Sequence, residues 1–215
     1  MEISWLLDHL DELALRTVQH FGLAALAVGV GFVLSMALSI LAVRVRLTMG
    51  PIVSLTGIFY TIPSLALFAA LVPVTGLSLL TAEVPLVLYT LLIFVRNISA
   101  GLEGVPADVL EAADGMGYSG RTRLLRVELP LAVPLIVVGV RLATVSTIGL
   151  VTISGILGDR FGGLGFFIFE GYRRSFATEI IAGAVPSVIL ALLVDRHLVV
   201  LGARLTPWFK ARAAS

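Results

Sequence analysis

Hydrophobic positions in this chain fall in long blocks. Residues 21–43 and 52–72 carry no charge at all. Residues 77–95 are apolar except for Glu83, 131–157 except for Arg141, and 180–201 except for the cluster Asp195-Arg196-His197. At 1.5 Å rise per residue, a helix of roughly 20 residues crosses a hydrocarbon core of about 30 Å. The pattern predicts an all-α, polytopic membrane protein of about five transmembrane helices. Polar connections fall at 44–51, 96–130 and 158–179, and a tail begins at Gly202. Pro63 stands near the middle of the second block, where it removes a backbone hydrogen bond and predicts a kink. Tyr60, Thr61 and Ser64 flank it and either satisfy the freed groups locally or line a passage.

Composition agrees with the blocks. Of 215 residues, 58% are hydrophobic and 13% charged, against about 25% charged in a soluble domain; the mean hydropathy is +1.05. The absence of cysteine excludes disulfides, thiol nucleophiles and Cys-ligated metals. His20 and His197 are isolated, and three histidines far apart in sequence suggest no metal site. The net charge of +1 gives no reason to expect a nucleic-acid partner. An intramembrane enzyme would need paired catalytic groups, yet Ser35 and Ser39 share no span with a His or Lys. Residues 1–20 are acidic where a signal peptide needs a positive start. They predict an amphipathic helix lying at the outer interface, with Trp5 as a belt residue.

Five spans place the termini on opposite sides, and Lys/Arg bias chooses between them. With the N-terminus outside, eleven of the fifteen Lys and Arg residues face the cytoplasm, and only Arg16, Arg160, Arg173 and Arg174 stay out. The expected layout is an outer helix at 1–20, a transmembrane domain at 21–201, a cytoplasmic loop at 103–130 and a cytoplasmic tail at 202–215. Glu83 is expected at the outer end of the third span, where it could also attract cations. Arg141 is expected to snorkel to the inner interface or to serve an inner gate. Asp195 and Arg196 are expected to end the fifth span and partly neutralise each other.

The polar insert "EAADGMGYSGRTRLLRVELP" (111–130) interrupts this apolar chain. Asp108 and Glu111 suit the N-terminal end of a short helix beginning near Pro106. Gly115 and Gly117 can end it in left-handed geometry. Ser119 can cap a second short helix that Pro130 closes. Val109, Ala113 and Met116 form a small apolar stripe on the first helix. Ala112, Ala113 and Gly117 would allow another surface to approach closely, beside a basic patch of Arg121, Arg123 and Arg126.

The insert resembles the EAA loop of permease subunits of binding-protein-dependent, type I ATP-binding-cassette importers: EAA, three residues, Gly, nine residues, then Ile-x-Leu-Pro. Glu111, Ala112, Ala113, Gly117, Leu129 and Pro130 meet it, with Val127 in place of isoleucine. "TIPSLAL" (61–67), "YTLLIFVRNISAGLEGVPADVLEAADGMG" (89–117), "GVRLATV" (139–145) and "GGLGFFIFEG" (162–171) are similar to the osmoprotectant branch, whose members serve importers of glycine betaine, choline or carnitine. The resemblance implies the MetI-like fold in a prokaryotic plasma membrane and ATPase coupling through those six residues. It also implies three kinds of partner: an ATPase dimer, an extracellular binding protein, and a second permease subunit, identical or homologous. No P-loop is present, and the only lysine is Lys210, so ATP and Mg belong to the partner ATPase and the chain itself is no enzyme. Other readings are a permease for an amino acid or another small polar solute, or a non-transporting membrane scaffold. Phe59, Tyr60, Phe161, Phe166, Phe167, Phe169 and Tyr172 are candidates for holding a quaternary ammonium ion. They suit lipid-facing, belt or packing roles as well, so no substrate residue is assigned.

Overall fold

The computed structural model describes residues 2–207, and all its regular elements are helical. They are α1 (Ile3–Asp8), α2 (Leu10–Arg44), α3 (Met49–Thr61), α4 (Ser64–Thr75), α5 (Leu79–Glu103), α6 (Ala107–Gly115), α7 (Gly120–Arg123), α8 (Leu129–Val151), α9 (Gly165–Arg173) and α10 (Ala177–Leu205). Four helical stretches are long and apolar enough to cross a membrane. The pair α3–α4 makes a fifth if counted as one bent span.

Helix α5 forms the centre, packed against α2, α3, α4 and α8. It lies close to α2 because α2 turns a stripe of small residues toward it. Ala24, Ala27, Gly31, Ser35, Ser39 and Ala42 recur every three or four residues and are all buried, the spacing that places side chains on one helix face. A Cβ on Gly31 would lie 1.8 Å from Thr90 Oγ1, so any larger residue would have to displace the Thr90 side chain. Ser35 and Ser39 each donate to an α5 carbonyl, Leu91 and Val95, at 3.4 Å. The two serines are therefore packing groups of the α2–α5 seam. Phe68, Leu86, Phe94, Ile98, Ile148 and Val151 fill the core beside the seam.

Two elements differ from the sequence expectation at the N-terminal end. The separate helix over 1–20 is instead a short α1 followed by α2. The latter runs unbroken for 35 residues, about 52 Å, so its first turns extend past the membrane segment. Trp5 stacks on His9 at 4.1 Å and meets Phe167 and Phe176 edge-on. His20 is isolated only in sequence. Fully buried, it bonds through Nε2 to Ile148 O at 2.9 Å and accepts at Nδ1 from Leu164 N–H at 3.3 Å. It ties α2 to the end of α8 and to the Gly162–Gly165 turn. That turn lies backbone-to-backbone on the 3-10 segment Ile153–Leu157, where a Cβ on Gly165 would sit 2.1 Å from Thr152 O. Arg16 anchors the same corner. It pairs with Glu12 at 2.9 Å, donates to Asp159 O, and lies 4.3 Å over Phe166.

The second span is a break, not a kink: α3 and α4 meet at 91° around Ile62-Pro63. Thr61 Oγ1 donates to Ile58 O at 2.8 Å, and Tyr89 of α5 donates its hydroxyl to Ile62 O. Two carbonyls left over where α3 ends thus find partners, one local and one from a helix the sequence did not implicate. At the other end of the chain, α10 continues ten residues past Asp195, so Asp195 and Arg196 do not end that helix. Residues 208–215 of the expected tail lie outside the described residues.

Candidate functional site

The insert 103–130 folds as an elbow. Helix α6 ends in a Schellman turn: Tyr118 N–H bonds to Ala113 O (3.1 Å), Gly117 N–H bonds to Asp114 O (2.9 Å), and Gly117 takes φ +78°. This six-to-one and five-to-two pattern needs a left-handed residue at that position, which glycine supplies without a Cβ clash. Ser119 then caps α7, accepting from Thr122 N–H at 3.3 Å. Pro130 does not close the second helix. It sits at the start of α8, and a π-helical turn over Leu124–Glu128 joins α7 to it, with Leu129 N–H reaching back to Leu124 O. The wide turn accommodates a proline whose missing N–H would leave a carbonyl unpaired in a regular helix.

The six motif residues divide into two groups. Glu111, Ala112 and Gly117 are exposed on α6 and its turn, together with Gly115 and Met116. Ala113 is buried against the protein itself, so the stripe expected over Val109, Ala113 and Met116 is split between inside and outside. Leu129 and Pro130 are half-buried at the root of α8.

An ion chain that the sequence did not suggest links these parts. Asp114 on α6 receives Arg123 Nη1 at 2.7 and 2.5 Å. Arg123 Nε donates to Glu128 at 2.9 Å, and Glu128 also takes both oxygens' worth of Arg44 Nη2, at 2.9 and 3.0 Å. Glu128 is 3% exposed. Two guanidiniums hold this buried carboxylate from two sides, and removing the acid would leave both cations without their shared partner. The chain runs from the exposed α6 through the π turn to the last residue of α2.

A second polar region lies along α8. Arg141 Nε and Nη2 donate to the two oxygens of Asp195 on α10, at 2.9 and 3.1 Å. The partner of Asp195 is thus Arg141 and not its neighbour Arg196. Arg141 is the thirteenth residue of α8, about 18 Å along it. Both side chains of the pair are about a third exposed (37% and 33%), and they line a cavity of about 280 Å³ with Val138, Leu142, Val145 and Ser146. Ser146 also belongs to a second cavity of about 260 Å³, with Tyr60, Tyr89, Ile93, Thr147 and Leu150. Glu83 differs from both. It lies in the second turn of α5 but is turned inward, 7% exposed, beside the α2–α5 groove, and its carboxyl has no hydrogen-bond partner among the described residues. Of the aromatic candidates, Phe166 is covered by Arg16 and Phe167 is buried.

A helical bundle with a broken second span, an exposed elbow and a polar face along α8 has the architecture of a transport permease. The chain belongs to the family described as "Binding-protein-dependent transport system inner membrane component", which it matches over residues 29–207. It is 35% identical to the glycine betaine/carnitine/choline transport system permease protein OpuCB of Bacillus subtilis, over 91% of this chain and 89% of that one. It is 37% identical to the osmoprotectant import permease protein OsmW of Salmonella typhimurium, over 95% and 97%. Among solved structures, a chain of the inward-facing MetNI methionine ABC transporter superposes with TM-score 0.78 over 96% of this chain and 100% of that one. At 22% identity this shows the fold.

Proposed function

We propose that this permease carries osmoprotectants with a quaternary ammonium group, such as glycine betaine, choline or carnitine. The names of relatives 35–37% identical over nearly the whole chain support that substrate class. The N-terminus and the His20 corner face outside, where a binding protein delivers the ligand. The elbow faces the cytoplasm, where one ATPase dimer holding ATP and Mg docks on the elbows of two permease subunits. Hydrolysis occurs on that partner.

The ion chain Asp114–Arg123–Glu128–Arg44 carries this reading. When the ATPase pair closes on ATP, it moves the exposed face of α6, and the chain passes the displacement to α2 and α8. ATP biases the two states of the permease only through contacts that differ between them, and this linkage makes motion at α6 a motion of the spans. The docking surface is Glu111, Ala112 and the Gly115–Gly117 turn. Ala113, Leu129 and Pro130 shape the elbow from within.

Co-expression with the neighbouring reading frames tests the assembly. The chain should recruit an ATPase and support ATP-dependent uptake of labelled choline or glycine betaine. Uptake of an amino acid instead would replace the substrate class. Recruitment of no ATPase would leave a membrane scaffold. A cysteine placed at Ser119, unique in a chain that has none, should react with impermeant reagents only from the cytoplasmic side. Labelling in intact cells would invert the topology.

A further inference from the structure

We propose that the cavity between Tyr60 and Tyr89, walled by Ser146 and Thr147 of α8, is a binding station for a quaternary ammonium group in transit. This assignment rests on the osmoprotectant reading and names where in the permease that chemistry would be met.

The two tyrosine rings lie 5.6 Å apart at 53° to one another, and both line the one cavity. Tyr89 is fixed, because its hydroxyl is held by Ile62 O at the helix break. Tyr60 is 43% exposed and closes the cavity from the α3 side. The break explains this placement, since a continuous second span would not end α3 beside Tyr89. The cavity is lined by no ionised group, and its volume of about 260 Å³ suits a solute of a few heavy atoms better than a drug-sized ligand. An alkylated ammonium has no N–H to donate, so aromatic faces recognise it and hydroxyls such as Ser146 need supply no specific acceptor.

Two observations set this face apart from a lipid-facing groove. Ser146 is exposed, five residues before the end of α8. One and a half turns away along α8, the partly exposed Arg141–Asp195 pair lines the adjoining cavity. Charged groups within membrane-spanning helices face water or protein and not lipid tails. The apolar groove between α2 and α5, with its inward Glu83, lacks that continuity.

The test uses Ser146→Cys in the full transporter, in membrane vesicles. The probes are a trimethylammonium-ethyl thiosulfonate and a sulfonato-ethyl thiosulfonate, each rate normalised to that at Ser119→Cys. The cationic reagent should react about tenfold faster than the anionic one, in line with the strength of a desolvated cation–π contact. Choline and glycine betaine should slow it. Adding Tyr60→Phe should keep both effects and adding Tyr60→Ala should remove them, which separates the aromatic face from the simple charge of Asp195. Equal rates without protection would overturn the site, as would preference and protection that survive Tyr60→Ala. An unreactive cysteine would overturn it too and would point to a second permease copy covering this face. Wild-type uptake of labelled choline and glycine betaine, measured alongside, separates the two readings. Uptake without protection removes the station alone, whereas no uptake of either compound removes the substrate class with it.

Discussion

The elbow at 103–130 and the broken span at 49–75 both interrupt an apolar chain, and they do so by opposite means. In the elbow, the backbone is settled locally: a left-handed Gly117, a Ser119 cap and a proline absorbed by a π turn. Its charges form a continuous chain around one buried carboxylate. In the broken span, local chemistry satisfies only Ile58 O, through Thr61. The Ile62 carbonyl needs Tyr89, 27 residues away on another helix. The elbow is built to hold its shape when pushed. The break is held by a contact between helices, so it can respond when those helices shift.

The largest effect should come from Glu128→Ala, which leaves Arg44 and Arg123 facing each other without the acid between them. Losing one partner of a fully buried pair costs about 3–5 kcal/mol. Arg44 and Arg123 are 35% and 21% exposed, so we expect about 2 kcal/mol, read as a lower melting temperature in detergent, with uptake lost. Stability equal to wild type would show the buried acid to be dispensable.

Next comes the pair between α8 and α10. Arg141→Ala and Asp195→Ala should each lower the melting temperature, and the double variant by less than the sum of the two, because residues in direct contact are not additive. Additive losses would mean that the two groups do not act on each other. Gly117→Asp should cost about 1–2 kcal/mol of left-handed strain, confined to the elbow. Insertion and span packing should remain intact while uptake and ATPase coupling fall, and normal uptake would remove α6 from the docking surface. The smallest change belongs to Arg44→Ala. Its exposed outer end limits the pair to about 1 kcal/mol or less, and the effect should shrink further in high salt. A loss as large as that of Glu128→Ala would shift the centre of the chain from Glu128 to α2.

Sequence patterns expose what is settled within a few residues. Gly117 and Ser119 could be assigned because turn and cap chemistry is local. The apolar blocks located the membrane helices because burial in lipid needs only length and hydrophobicity. Partners distant along the chain were hidden. Arg44 and Glu128 are 84 residues apart, and Arg141 and Asp195 are 54 apart. Pairing Asp195 with Arg196 followed adjacency in sequence, but consecutive helical residues point to different faces. Likewise Pro63 marked the place of the break without its 91° amplitude, which depends on α5 supplying Tyr89. The packing role of Ser35 and Ser39 was missed, although Ala27, Gly31, Ser35 and Ser39 recur every four residues, a spacing typical of close helix contact.

The claim most open to direct test is that motion at α6 reaches the spans through Arg123, which bonds to both Asp114 and Glu128. Arg123→Met keeps the bulk of the side chain and removes both ion pairs. In proteoliposomes holding the assembled transporter, the account predicts that the ATPase still binds and hydrolyses while the ATP consumed per substrate imported rises about tenfold. An unchanged ratio of ATP to substrate would contradict it.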